Sequence, residues 1–185
     1  LRYSDSNTVD YSTRILNSGS AISIDTNGQN VSFASNLGSS NTGGLTKSGD
    51  GILTLSASNG YTGGTTISGG QLTLANANAL AAANAMTITS GTLDLNGQSS
   101  TLGSLNGSSG GTITTGTAGL ITLTSSAAAS STYAGSIIDG AGTIAFTKSG
   151  AGTLTLSGSN GYTGVTNING GVLALGNASA FAGGG

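Results

Sequence analysis

The chain has 185 residues but only four basic and six acidic side chains, with no His, Cys, Pro or Glu. A net charge of −2 offers no electrostatic footprint for nucleic acid or anionic lipid, and without cysteine there are no disulfides and no thiolate metal sites. Gly, Ser, Thr and Asn fill 106 positions, yet hydrophobic residues reach 36% and sit in short alternating runs, which argues against a disordered linker.

Taken in chain order, those runs are Ala21-Ile22-Ser23-Ile24, Ile52-Leu53-Thr54-Leu55, Gln71-Leu72-Thr73-Leu74, Met86-Thr87-Ile88, Thr92-Leu93-Asp94-Leu95 and Leu120-Ile121-Thr122-Leu123. Thr143-Ile144-Ala145-Phe146, Thr153-Leu154-Thr155-Leu156 and Val172-Leu173-Ala174-Leu175 follow. A period of two means strand, with Leu and Ile on a buried face and Thr and Ser outward. Between the runs stand Gly-Gly, Asn-Gly and Ser-Gly pairs, which supply the conformations that sharp corners need. The alanines of 79–85 are too few, and too poorly spaced, for a helix. No 18-residue apolar run is present, so this segment is not expected to insert into a membrane.

Residues 45–80 and 146–181 align without a gap at an offset of 101 residues, with 24 identities in 36 positions. A unit of this kind cannot bury its own apolar face and must stack on neighbours, which is the signature of a solenoid. The expected fold is all-β: a parallel β-helix (β-solenoid) with no significant helix. At roughly 20–25 residues per coil, the repeat offset is four or five coils and the chain about eight. At ~4.8 Å per stacked strand the rod is about 40 Å long. The two repeats should superimpose, with Gly49/Gly150, Gly63/Gly164 and Gly70/Gly171 at matching corners, several with positive φ. Leu53, Leu55, Leu72, Leu74, Leu154, Leu156, Leu173 and Leu175 should be buried. The first ten residues lack a signal-peptide layout and do not open with Met, and 176–185 still follow the repeat pattern. The expectation is a single β-solenoid segment, 1–185, of a longer protein.

The pattern T-K-S-G-x-G-x-L-T-L-S, then N-G-Y-T-G, then T-x-I-x-G-G-x-L occupies 46–74 and 147–175. It resembles the passenger-associated (autotransporter-associated β-strand) repeat of bacterial autotransporter-like surface proteins. That resemblance implies that the β-helix is right-handed and that the protein is secreted or displayed at the cell surface of a Gram-negative-type bacterium.

Chemistry is thinly represented. Acid–base and nucleophilic catalysis need positioned titratable groups, and here they are six Asp, two Lys, two Arg and five Tyr. The carboxylates from Asp25 onward, at Asp50, Asp94 and Asp139, are widely spaced in sequence, whereas glycoside hydrolysis wants a pair within roughly 5–10 Å. Asp50 and Asp139 read as turn residues. Calcium β-roll repeats are absent. No catalytic, cofactor-binding or metal-ligating residue is therefore assigned. Lys47 and Lys148 are equivalent, and read as a solvated flank beside a turn that discourages sideways aggregation. Tyr61 and Tyr162 read as corner packing, and Asn59 and Asn160 as side chains bonding their own backbone or the next coil. The Thr-x-Thr elements beginning at Thr87, Thr112, Thr115, Thr122 and Thr153 recur irregularly, which argues against an ice-matching row and for simple strand propensity.

These readings converge on a non-enzymatic structural segment: a stalk, fibre or adhesin scaffold. Its partners would be further coils of the same protein, or identical copies stacked end to end. A carbohydrate-binding adhesin surface that touches surface glycans is the second reading, and a polysaccharide-degrading β-helix enzyme the third.

Overall fold

The computed structural model describes residues 1–81 and 83–181. Residue 82, within the alanine run, and 182–185, the end of the repeat-like tail, lie outside the described residues. In chain order the strands are β1 (Ile22–Asp25), β2 (Val31–Phe33), β3 (Leu45–Ser48), β4 (Ile52–Leu55), β5 (Thr65–Ile67), β6 (Gln71–Leu74), β7 (Asn84–Asp94) and β8 (Ser100–Thr114). Then come β9 (Leu120–Ser125), β10 (Ser131–Tyr133), β11 (Ser136–Ile137), β12 (Thr143–Lys148), β13 (Thr153–Leu156), β14 (Thr166–Ile168) and β15 (Val172–Leu175). Among the described residues the one helical element is a 3-10 turn, Ser12–Arg14. Every strand pairing is parallel.

The strands stack on three sides of a rod. Side one carries β1, β3, β5, the front of β7, the middle of β8, β10, β13 and β15. Side two carries β2, β4, β6, the ends of β7 and β8, and β11. Side three carries the start of β8, then β9, β12 and β14. In the N-terminal half, side three is built instead from arches tied by backbone bonds, such as Gly60 N to Leu37 O at 2.9 Å and Asn59 N to Asn78 O at 3.0 Å. β7 and β8 are long because their pairing carries on round the corners, in β7 through Gly91 at φ 89°.

Side one therefore has eight layers and the chain makes about seven turns, against the expected eight. The difference lies in the first 21 residues. They meet the first strand through one isolated bridge, Arg2 to Asp25, and a bond from the Leu1 ammonium to Ser23 O at 2.7 Å, and otherwise fold over the first layer with Tyr3 buried against it.

The core is the expected one over most of its length. Leu53, Leu55, Leu72, Leu74, Leu154 and Leu156 are all at most 1% exposed. Leu173 and Leu175 depart from expectation, the first half-buried and the second 52% exposed. β15 is the last layer of side one, so alternation aims these side chains at the axis but nothing in the described residues lies over them.

The two sequence repeats do not stand in the same orientation. In the first copy, Lys47 lies in β3 on side one and the Leu53 run in β4 on side two. In the second, Lys148 lies in β12 on side three and the Leu154 run in β13 on side one. The 101-residue offset is thus one side short of five full turns, rather than a whole number of coils. The corner glycines are used in two ways. Gly70 and Gly171 match, with φ of 61° and 64°. Gly49 has φ 69° but Gly150 has no positive φ. Gly63 and Gly164 are small because the next layer is close: a Cβ there would lie 2.3 Å from Gly44 N or 2.4 Å from Ile144 O.

Candidate functional site

The residues singled out by the sequence gather at the corners, where each strand layer hands over to the next. Asn59 is 7% exposed. Its Oδ1 accepts from Leu37 N in the layer below at 2.7 Å. Its Nδ2 donates to Ala79 O in the layer above at 2.7 Å and to Ala57 O at 3.2 Å. Asn160 repeats this with Ile137 N at 2.8 Å and Ala180 O at 2.8 Å. A single amide thus clasps three layers, using both donor and acceptor capacity. Asn41, fully buried, adds a similar tie, accepting from Ser18 N at 3.0 Å and donating to Ile15 O at 3.2 Å.

Tyr61 and Tyr162 pack into the corner as expected, at 0% and 3% exposure. Their hydroxyls meet Thr65 Oγ1 at 2.7 Å and Thr166 Oγ1 at 2.8 Å. Burial raises the Tyr61 phenol to about 12, with the Thr65 bond pulling the other way.

The lysines overturn the sequence reading. Lys47 and Lys148 are 0% exposed. Lys47 stands between Ile24 below and Ile67 above in an inward-facing column. Its stem fills the core, and its ammonium reaches the corner carbonyls of Ser48 at 2.9 Å, Gly49 at 2.7 Å and Gly69 at 3.1 Å. Lys148 bonds Gly150 O and, at 3.3 Å, Gly170 O. Three donors on a long stem satisfy carbonyls that an Ile in the same column leaves unmet. Burial pushes the Lys47 ammonium down to about 8, against the pull of Asp25 and Asp50. The signal was available: Lys47 is two residues from Leu45 in a period-two run and so shares its inward face.

The carboxylates act as staples. Asp10 accepts from Ser12 N at 2.7 Å and Ala34 N at 2.8 Å. Burial pushes its carboxyl up, but these bonds outweigh it and hold it below the ordinary range. Asp94 accepts from Asn96 N at 2.8 Å and Gly116 N at 2.7 Å, and Asp139 from Ile144 N at 2.7 Å and Thr163 N at 2.9 Å. Asp139 is thus a turn residue that also ties neighbouring layers, while Asp50 is an exposed turn residue. Sequence spacing kept Asp5 and Asp25 apart, yet the fold brings both to Asn27, at 3.2 Å to its Nδ2 and 2.9 Å to its backbone N. Arg2, itself 72% exposed, pairs with Asp25 at 3.3 Å, so this acidic corner is neutralised at the surface.

The Thr-x-Thr elements are spread over all three sides. Those at Thr87 and Thr153 lie on side one, that at Thr112 on side two and that at Thr122 on side three. One outward column does align, because the register of side one is unshifted there: Thr46, Thr66 and Thr87, with Thr132 and Thr155 further along. Sequence intervals hid it because the coils differ in length.

The end face at β14 and β15 was not foreseen as a patch. Val165, Ile168, Val172 and Leu175 are 68%, 56%, 53% and 52% exposed. In the first repeat the corresponding layer is covered, Ile67 by Ile88 and Leu72 by Leu93.

No solved structure matches the chain. A curated relative, described as the adhesin BmaC autotransporter of Brucella suis biovar 1 (strain 1330), is 38% identical over 140 residues, covering 71% of this chain. The chain spans 4% of that relative's length. The family described as passenger-associated-transport-repeat matches at 45–74 and 146–175, so the chain carries two such repeats, each wrapped around one corner-clasped stretch of the rod.

Proposed function

We propose that this segment is a non-catalytic length of a rod, secreted by or displayed on a Gram-negative bacterium, that holds an adhesin or similar module away from the cell. The observation that carries the reading is the use of the polar inventory. Asn59, Asn160, Lys47, Lys148, Asp10, Asp94 and Asp139 all bond backbone of their own turn or an adjacent layer. These side chains therefore join layers to one another, which is the work of a rod under axial load. The similarity to an autotransporter adhesin supports the surface setting.

The rod reading also assigns the exposed face of β14 and β15 to a further coil of the same kind. Unpaired strand edges invite strand addition, and the first repeat shows what fits: residues 84–95 cover the equivalent positions there. Extending the chain after residue 181 with a duplicate of 81–114 should raise the urea midpoint and protect the amides of 166–175 from exchange. No gain in either, with the unextended chain forming dimers in sedimentation, would assign the face to a second copy. Pectin and alginate should survive incubation with the protein. Depolymerisation that vanishes in Asp139→Asn would overturn the non-catalytic reading.

A further inference from the structure

Asparagine is a thermolabile residue, most of all before glycine, whose backbone nitrogen has no side chain beside it to hinder attack on the asparagine amide. The chain holds six Asn-Gly pairs, beginning at Asn27, Asn59, Asn96, Asn106, Asn160 and Asn169. Attack needs a glycine N–H released from its hydrogen bond and a side chain free to swing onto it. The bonds of the fold therefore decide which pair reacts.

Five pairs are held at both points. Gly60 N and Gly161 N donate to Leu37 O and Ile137 O, each at 2.9 Å, and the amides of Asn59 and Asn160 are the layer clasps. Gly28 N donates to Asp50 O at 2.7 Å, while Arg2 and Asp5 hold the Asn27 side chain, both at 3.2 Å. Gly97 N donates to Thr115 Oγ1 at 2.9 Å, and the Asn96 amide meets Thr117 Oγ1 at 2.7 Å and Leu74 O at 3.2 Å. Gly107 lies within β8, paired on one side with Ile88 and on the other with Tyr133, and Asn106 Oδ1 accepts from Thr132 N at 3.4 Å.

The sixth pair is held at neither. Gly170 N reaches Lys148 O only at 3.3 Å and shares that oxygen with Asn169 N, which is closer at 2.8 Å. The Asn169 side chain is exposed and, among the described residues, bonds nothing. Among those residues β14 pairs with β12 alone, so this turn can open without disturbing a second layer. The first copy differs twice here. It carries Ser68 in place of Asn169, and Gly91 of its next layer packs so closely that a Cβ there would lie 3.0 Å from Gly69 C and 2.4 Å from Gly70 O.

We propose that Asn169 is a site of spontaneous modification, converted to aspartate and isoaspartate while the other five Asn-Gly pairs stay intact. Gly170 N gives its proton to water and bonds Asn169 Cγ. The side-chain nitrogen leaves as ammonia, taking a proton from water, and a succinimide ring remains. Water then opens either ring carbonyl, so the sum is one water consumed and one ammonia released. The product carries a new negative charge, and isoaspartate lengthens the main chain by one carbon between β14 and β15. The inference rests on this turn alone and makes no use of the rod reading, so the two stand or fall separately.

Ageing the full 185-residue chain in mildly alkaline buffer tests it, with released ammonia counted and each pair followed by peptide mapping in a mass spectrometer. Asn169 should react at least about tenfold faster than any other pair, a difference of ~1.4 kcal/mol in local opening. In urea, where the stack is gone, the six rates should converge. Asn169→Ser, which places the first copy's residue there, should abolish the early ammonia and keep the urea midpoint. Another pair reacting as fast in the folded chain overturns the proposal. So does a lead of Asn169 that persists in urea, aspartate formed without isoaspartate, or undiminished ammonia from Asn169→Ser.

Discussion

Replacing Asn59 with Ala tests whether the corner amides hold the stack together. The side chain makes three hydrogen bonds, to Leu37 N, Ala79 O and Ala57 O, at 2.7, 2.7 and 3.2 Å. At about 1 kcal/mol net for each, their loss costs about 3 kcal/mol, and the Leu37 N–H left facing a dry corner adds about 1 more. A loss of about 4 kcal/mol is a large share of the 5–15 kcal/mol that holds typical domains folded. Equilibrium urea unfolding measures it, and hydrogen exchange at the Leu37 amide locates it. Asn59→Asp sharpens the test, because a carboxylate only accepts and would face the carbonyls of Ala57 and Ala79. Its folded-state pKa would be raised, so the variant should regain stability as pH falls through that value and the acid begins to donate. A cost under about 1 kcal/mol for Asn59→Ala would refute the clasp, as it would mean that water or backbone shifts replace the amide at no loss.

Three further outcomes are expected. Leu74→Ala, at 1% exposure, should cost about 2–5 kcal/mol, while its repeat equivalent Leu175→Ala, at 52% exposure, should be nearly silent in this segment, both read by urea unfolding. Gly63→Ala should fold poorly or lose several turns of exchange protection, since the added Cβ would sit 2.3 Å from Gly44 N; wild-type stability would remove the close-approach argument. Lys47 titrates near 8 in the fold, below its ordinary 10.5, so the unfolded chain binds the extra proton between those values. Stability should therefore rise with pH across that window, by at most about 3 kcal/mol, and the rise should be absent from Lys47→Met when thermal midpoints are compared at pH 7 and pH 10.

Much of the architecture was legible because one rule dominates it. Alternation with a period of two located all nine marked runs on strands to within a residue, and Leu53, Leu72 and Leu154 faced inward for the reason given. Strands such as β10 and β14, and most of β8, went unmarked because Ser, Gly and Asn in them carry no apolar alternation; their extended conformation is imposed by the layers on either side. The lysines were misjudged from charge, when their places in the alternation of β3 and β12 already set them inside. The open face at Val172 and Leu175 was invisible, since burial depends on a neighbour and alternation reports only direction.

The mismatch between repeat and coil bears on how such a rod acquires function. The repeated motif specifies corners, with Asn59 or Asn160, a Tyr and close glycines, and each of its strand runs then spans one side. Every side sees the same neighbours above and below, so the motif fits any of the three, and nothing in the energetics of stacking selects one. A copy displaced by one side short of five turns is as well clasped as a copy in phase. Its surface features, however, point elsewhere: the exposed Ser58 and Ser159 flank equivalent clasps on different sides. The motif therefore lengthens the rod without building a continuous ligand-facing row. Recognition must come from places where the sequence departs from the motif. In this chain β7 to β11, which lie between the two copies, are such a departure: β7 and β8 carry strand pairing round corners where the first copy turns through arches.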